Sequence, residues 1–268
     1  MKTDPFHRGE LQAQQLAGQV ALGHAIREAM PDQHRTFFEA LPFVLFASSG
    51  AAGAPAAQVL YGVPGFIRSP DARTLELTCV TDVQVGAQFG LLGIDFATRR
   101  RNRANGVVLS NTAGLLVLEV NESFGNCPKY ITQRDVGPVP RVAQAPLAFD
   151  GLGVAARETV AASDTFFVAT SGGKHGLDIS HRGGTPGFGR IDGDTLVIPD
   201  LSGNRYFNTL GNLLLEPRAT LLFIGFSSGD VLTLHGEVAI DWRRREWRFH
   251  CAGGTLARAA VPLGWDDR

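Results

Sequence analysis

The feature that most limits how this chain can fold is an internal repeat. FVLFASS at 43–49 is matched by TFFVATS at 165–171, PGF at 64–66 by PGF at 186–188, and LLGIDF at 91–96 by LLFIGF at 221–226. After the last match each copy runs ten residues to a glycine, Gly106 in one and Gly236 in the other. Matches that keep their order and spacing predict one architectural unit used twice.

Around the repeat the pattern is mainly β. FVLFAS, AAQVLYGVPGF and TLELTCV lead through QFGLLGIDF into RNRANGVVLS and GLLVLEVNESF, short runs divided by Gly, Asn and Asp turns. Such runs predict a closed or split barrel with flanking helices, because closure removes exposed strand edges. In each PGF, Pro and Gly specify a type II turn and Phe anchors the corner. Two helices are expected first: 8–29, with Leu11, Leu16, Val20 and Ile26 between charges, and 32–41, restarted by Pro31 and carrying Phe37, Phe38 and Leu41. Residues 133–163 hold three prolines and read as a connector, helical over 153–162, with a boundary near Pro138. DWRRREWRFHCAGG, from Asp241, reads as an extra strand and tail.

The copies differ in length. Phe66 to Asp95 is 29 positions and Phe188 to Gly225 is 37, so the first copy is eight residues shorter. The missing length falls where the second copy carries SGNRYFNTLGNL, so the first copy is expected to lack a phosphate loop and helix and to serve as a partner wall.

The second copy's stretch 178–226 reads as a strand (177–180), a corner with Gly183, Gly184, Pro186 and Gly187, and a strand (195–198). A polar loop (202–205), a short helix (207–215) and a buried strand (219–226) follow. Ser202, Gly203, Asn204 and Arg205 stand just before that helix, whose free N–H groups and positive dipole end suit an anion such as phosphate. Arg205 adds charge, and Asn208, Thr209 and Asn212 offer side chains from the helix itself. Alone, SGNR is a turn and helix cap; preceded by HRGG and followed by FNTLGNL, it reads as a phosphate site. Ser180, His181 and Arg182 adjoin the Gly183-Gly184 pair, which lets backbone approach a flat ligand. For Arg182, pairing with an acid such as Asp178 and contact with the ligand both stay open.

Three readings stay open for TRRRNRANG at 98–106: a solvated charged face, a nucleic-acid patch, or an anion patch with Arg99, Arg101 and Arg103 on one side of a strand. In FGNCPKYI, Cys127 has no His or second Cys near it in sequence, and Pro128 makes a bend that presents Lys129 and Tyr130. His175 and His181 lack a third ligand at useful spacing for a metal, and His235, in a strand with the alternating Leu232 and Leu234, reads as structural.

Composition excludes several classes. A net charge of −1 argues against a general nucleic-acid binder. Three cysteines without a CxxC pair argue against a disulfide scaffold or zinc site and for reduced thiols. The first ten residues lack the apolar core of a signal peptide and no run approaches a membrane span. A soluble, cytoplasmic chain without a membrane or nucleic-acid partner is expected.

SHRGGTPGF, SGNRYFNTLGNL and PRATLLF, with FHRGE, PGF, GIDFATRRRNRANG and FGNCPKYI in the N-terminal half, resemble the FMN-binding split-barrel family related to pyridoxamine 5′-phosphate oxidase, in its tandem-barrel subfamily. The resemblance spans about residues 6–245. It implies two tandem FMN-binding split β-barrels forming a pseudo-dimer: 1–137 with the N-terminal helices and a first barrel whose site is degenerate, and 138–268 with the linker, the FMN-binding barrel and the tail. It further implies FMN in the seam, held by Ser180, His181, Arg182, Gly183, Ser202, Gly203, Asn204, Arg205, Asn208, Thr209 and Asn212, with Lys129 and Tyr130 from the partner barrel. The expected activity is that of an FMN-dependent oxidoreductase with a small-molecule substrate and an external electron donor, and no catalytic residue is assigned because the flavin supplies the reactive atom. A flavin- or haem-binding module without turnover is the alternative, since fold does not fix function. Whether the chain forms a homodimer stays open.

Overall fold

The computed structural model describes residues 5–268; residues 1–4, part of the stretch read for a leader, lie outside the described residues. Helix α1 (Arg8–Leu16) opens with a capping box in which the His7 ring accepts from Gly9 N–H while Glu10 accepts from the His7 N–H. The helix expected over 8–29 stops at Leu16 because Gly18, at φ +63°, closes it: Gln19 N–H returns to the Gln14 carbonyl and Gly18 N–H to that of Gln15. Helix α2 (Asp32–Glu39) follows.

Strands β1 (Phe43–Ser49), β2 (Pro55–Tyr61), β3 (Ile67–Asp71), β4 (Thr74–Thr78), β5 (Gln88–Asp95), β6 (Arg100–Thr112) and β7 (Leu115–Gly125) form one antiparallel sheet, in the order β2-β1-β5-β6-β7-β4-β3. The connector holds β8 (Arg134–Pro138), β9 (Leu147–Asp150) and α3 (Val154–Ala162). Then come β10 (Thr165–Ser171), β11 (Leu177–Gly183), β12 (Arg190–Asp192), β13 (Thr195–Pro199), helix α4 (Asn208–Leu215), β14 (Arg218–Ile224), β15 (Val231–Asp241) and β16 (Glu246–Ala257). Their sheet runs β11-β10-β14-β15-β16-β13-β12, the order of the first. The end strands of each path do not pair with one another. The segment read as an extra strand and tail is therefore an integral member, β16, the counterpart of β7; β9 adds an eighth strand to this sheet by pairing with β16, and β17 (Leu263–Asp267) pairs with β8. No helix among the described residues is long and apolar enough to cross a membrane.

The repeat extends to residue register. Leu45 lies opposite Leu92 and Phe46 opposite Leu91; at the matched positions Phe167 lies opposite Leu222 and Val168 opposite Leu221. Gly106 and Gly236 both stand at bulges, where an added Cβ would come within 1.8 Å of the Glu119 carbonyl oxygen and 2.0 Å of that of His250. The length difference falls between β4 and β5, which are joined without a helix, whereas α4 lies between β13 and β14.

Strand alternation builds three cores from these sheets. In β1, Val44 and Phe46 face the first half's own core, and Phe43, Leu45 and Ala47 face a shared one; in β10, Phe166 and Val168 face the second half's core, and Phe167 and Ala169 the shared one. β5 and β14 divide likewise, sending Leu92 and Ile94, and Leu222 and Ile224, into the seam. The two sheets cross reciprocally: β11 lies on β5, and β2 on β14. A Cβ on Gly90 of β5 would stand 2.6 Å from the Leu177 carbonyl oxygen, while at the matched position Thr220 of β14 donates its hydroxyl to the Pro55 carbonyl at 2.6 Å.

The chain's ends cross the division read at Pro138. Ala13 of α1 is buried in the second half's core, and Val261, Leu263 and Trp265 join the seam beside Phe43 and Phe96. Leu222 is fully buried in that seam. Leu222→Ala is expected to cost about 2–5 kcal/mol of stability, read by urea unfolding; a loss near zero would show that the seam contributes little to folding.

Candidate anion-binding cavity

The loop before α4 takes an uncommon path. Arg205 and Phe207 sit at φ +66° and +61°, in the left-handed region that non-glycine residues seldom adopt. Asn204 Oδ1 accepts from Tyr206 N–H at 3.1 Å, and no side chain caps α4. Its first N–H groups are left for another acceptor. Leu210 and Leu213 anchor the helix in the second half's core. On its outer side α1 crosses so closely that a Cβ on Gly9 would lie 2.2 Å from the Gly211 carbonyl oxygen.

This loop borders a cavity of about 270 Å³ with walls from both halves. The first half supplies Leu92 of β5, Arg101 and Arg103 of β6, and Asn126, Cys127 and Lys129 of the loop after β7; the second supplies Ser180, His181 and Arg182 of β11, residues 200–205, Phe207 and the start of α4. Arg245, in the turn between β15 and β16, and Gln19, after α1, complete it. Six of these side chains are cationic (Arg101, Arg103, Lys129, Arg182, Arg205, Arg245), against one carboxylate, Asp200, which pairs with Arg245 at 3.5 Å.

The buried charges below the cavity are arranged around Asp178. Its Oδ1 accepts from Arg103 Nη1 at 3.1 Å and Asn105 Nδ2 at 3.0 Å, and its Oδ2 from Asn212 Nδ2 at 2.8 Å. Arg103 also donates to Ser180 Oγ, which accepts from Thr209 as well. Arg101 has no carboxylate partner among the described residues; burial, with Arg103 and Arg182 beside it, pulls its pKa down to about 10. Arg101 Nη1 donates to His181 Nδ1 at 2.7 Å. A guanidinium can only donate, so Nδ1 accepts and the proton of the neutral ring lies on Nε2. Burial and the Arg101, Arg182 and Arg134 charges hold His181 well below its ordinary pKa, so the ring stays neutral. Its Nε2 and the Nε atoms of Arg101, Arg103 and Arg182 are buried and have no hydrogen-bond partner among the described residues. Unpaired buried donors are costly, and all four of these residues border the cavity.

The cavity gathers Ser180, His181, Arg182, Ser202, Gly203, Asn204, Arg205, Asn208, Thr209 and Lys129 from the residues predicted by sequence. Others take different places. Asn212 stands behind the cavity, between Asp178, Thr170 and His7. Asn208 borders the cavity but gives its amide to Glu10. Gly183 is needed because the chain's own loop passes over it, with the Tyr130 carbonyl oxygen 2.0 Å from where a Cβ would stand; the close approach read as a flat ligand's belongs to Tyr130. The Tyr130 hydroxyl reaches Ser202 Oγ at 3.4 Å. Asp178, expected to compete for Arg182 at the rim, is buried and pairs with Arg103 instead. The arginine trio reduces to a pair: Arg99 is exposed at φ +55° in the turn before β6, outside the strand's alternation. Glu10, His7, Gln19, Asp200 and Arg245 were not foreseen, since their roles depend on contacts between distant segments.

The matched register shows why the other half has no equal. Asp178, Ser180, His181 and Arg182 of β11 correspond to Ala56, Gln58, Val59 and Leu60 of β2, and Arg101 and Arg103 of β6 to Val231 and Thr233 of β15. Every charged member has an uncharged counterpart. Among the described residues no group of His, Cys, Asp and Glu is placed to hold a metal ion.

Removing one partner of a buried ion pair strands the other. Asp178→Ala is expected to destabilise the chain by about 3–5 kcal/mol in urea unfolding, and the double change Asp178→Leu with Arg103→Met by clearly less. Equal losses would show that the pair itself, not the stranded charge, dominates.

No family model matches the chain, and no curated protein matches it. Among solved structures, that of the K. pneumonia MrkH–c-di-GMP complex is similar over 87% of each chain at 9% identity, with a TM-score of 0.26. That overlap is too loose to bear on fold or ligand.

Proposed function

We propose that the chain binds FMN between its two halves, as a tandem split-barrel flavoprotein whose halves stand in for the subunits of a dimer, and that it acts as an oxidoreductase on a small-molecule substrate. The observation that carries this reading is the cavity's charge: six cations from both halves meet one carboxylate, beside the uncapped start of a helix. That combination suits a phosphate dianion. A volume of about 270 Å³ falls close to the lower end, roughly 300 Å³, of small-ligand pockets.

The residues present fit the group. Arg205, Ser202 and the first N–H groups of α4 would hold the phosphate, and Arg101, Arg182 and Lys129 would add charge. The unpartnered His181 Nε2–H would donate to a ligand acceptor, and Leu92, Leu201, Phe207 and Leu210 bring the apolar surface that a ring system requires. Bound flavin supplies hydride transfer; the chain binds and orients it. The tautomer of His181 favours flavin over haem, because with Arg101 on Nδ1 the other nitrogen carries a proton and has no lone pair for iron.

Arg205→Ala is expected to weaken FMN binding by about 1.5–3 kcal/mol, roughly ten- to a hundredfold, in a fluorescence titration. Riboflavin, which lacks the phosphate, should bind the unaltered chain more weakly and be little affected by the substitution. FMN affinity unchanged in Arg205→Ala would overturn the assignment.

A further inference from the structure

We propose that α1 is a strap that positions the anion-binding loop, and that Glu10 is the positioning residue through which the strap responds to pH. This rests on the cavity being the ligand site. Four observations carry it.

First, α1 belongs by packing to the half that holds the loop. Ala13 lies in the second half's core, and a Cβ on Gly211 would be 2.6 Å from the Glu10 Cα and N. The helices touch backbone to backbone, so α4 has no freedom to shift while α1 is docked. Second, Glu10 is 4% exposed and its carboxyl joins the two helices: Oε1 accepts from Asn208, the first residue of α4, and Oε2 from the His7 N–H. Third, the strap grips the same helix again one turn later, His7 Nε2 meeting Asn212 Oδ1 at 2.8 Å. The segment after α1 then brings Gln19 to the cavity wall.

Fourth, the surroundings oppose a charge on Glu10. His7 and Arg8 are on its own helix, Asp178 faces it from β11, Glu122 from β7 and Arg103 from β6, while His175 stacks on His7. From α4 it meets the uncharged Asn208. Glu10, Glu122 and Asp178 thus share one buried guanidinium, that of Arg103, which is already committed to Asp178. Burial, then Asp178, pushes the Glu10 pKa up to about 8, and the same causes push Glu122 to about 7. Burial lowers the His7 pKa, so that ring gives no compensating positive charge at neutral pH.

The direction follows from linkage. A carboxyl whose pKa is raised in the docked state binds its proton more tightly there than when the strap is open and Glu10 is solvated near its usual 4.5. Docking is therefore firmest below pH 4.5, weakens as pH rises between that value and about 8, and levels off above it. Within this window each pH unit favours opening by up to about tenfold.

The test uses the full chain without ligand and follows amide hydrogen exchange in the first turn of α4 at pH 6 and pH 8, corrected for intrinsic exchange. The expected result is an opening equilibrium more than tenfold larger at pH 8 in the unaltered chain, and a rise several-fold smaller in Glu10→Gln, which imitates the protonated acid. The same rise in both, or none in either, would overturn the proposal. A titration with FMN at pH 7 gives the second reading: Glu10→Ala should lose at least tenfold in affinity and Glu10→Gln should restore most of it, whereas Glu10→Ala binding as tightly as the unaltered chain would refute the positioning role. Should FMN fail to bind the unaltered chain, the flavin reading falls, and hydrogen exchange alone decides on the strap.

Discussion

The structure depends on four strands, β1 and β5 in one half and β10 and β14 in the other, that are buried on both faces. A strand with one face in water alternates apolar and polar residues; these cannot, because each side chain belongs to one of two cores. Phe43, Leu45, Leu92 and Ile94 meet Phe167, Ala169, Leu222 and Ile224 between the sheets, so neither half can lose the other without exposing a contiguous apolar face. A one-residue slip of β1 would exchange Phe46 and Leu45 between cores and mismatch both. The shared register of the two halves follows from that constraint, as does the crossing of the ends, α1 onto the second half and β17 onto β8.

Fixing the halves in this way lets one of them carry charge that it could not bury alone. Arg103 comes from β6, yet its counter-charge, Asp178, comes from β11, and their 3.1 Å contact exists only because β11 crosses β5 where Gly90 has no side chain. At the corresponding place Thr220 occupies the crossing, and Ala56 and Thr233 stand where Asp178 and Arg103 would be. The repeat is thus shared in strand order and register and asymmetric in electrostatics. One end of the seam gathers cations and a helix start, and the positions matched to Asp178, Arg182, Arg101 and Arg103 hold Ala56, Leu60, Val231 and Thr233.

Much of this was legible in the sequence because the signals were local. The apolar runs matched at 43–49 and 165–171 coincide with β1 and β10, and the shorter first copy predicted the absence of a helix between β4 and β5. The polar loop before α4 was legible from its turn residues and their position at a helix start. Local pattern misled where a glycine or a distant partner decided the outcome. Gly18 ended a helix whose apolar spacing continued to Ile26, and β16 looked like a tail because its charged residues alternate with a buried Trp247 and Phe249 that only the sheet explains. Gly211, within a run read for its ligand contacts, is required by α1, and Glu10 acquires its place from a residue almost two hundred positions away.

The central claim is that the seam makes one anion site per chain, not two. The direct measurement is the stoichiometry of FMN bound to the intact chain, by equilibrium titration with the protein well above the dissociation constant. A break at one flavin per chain is predicted. Two per chain would contradict the account, since Ala56, Leu60, Val231 and Thr233 stand at the positions matched to Asp178, Arg182, Arg101 and Arg103.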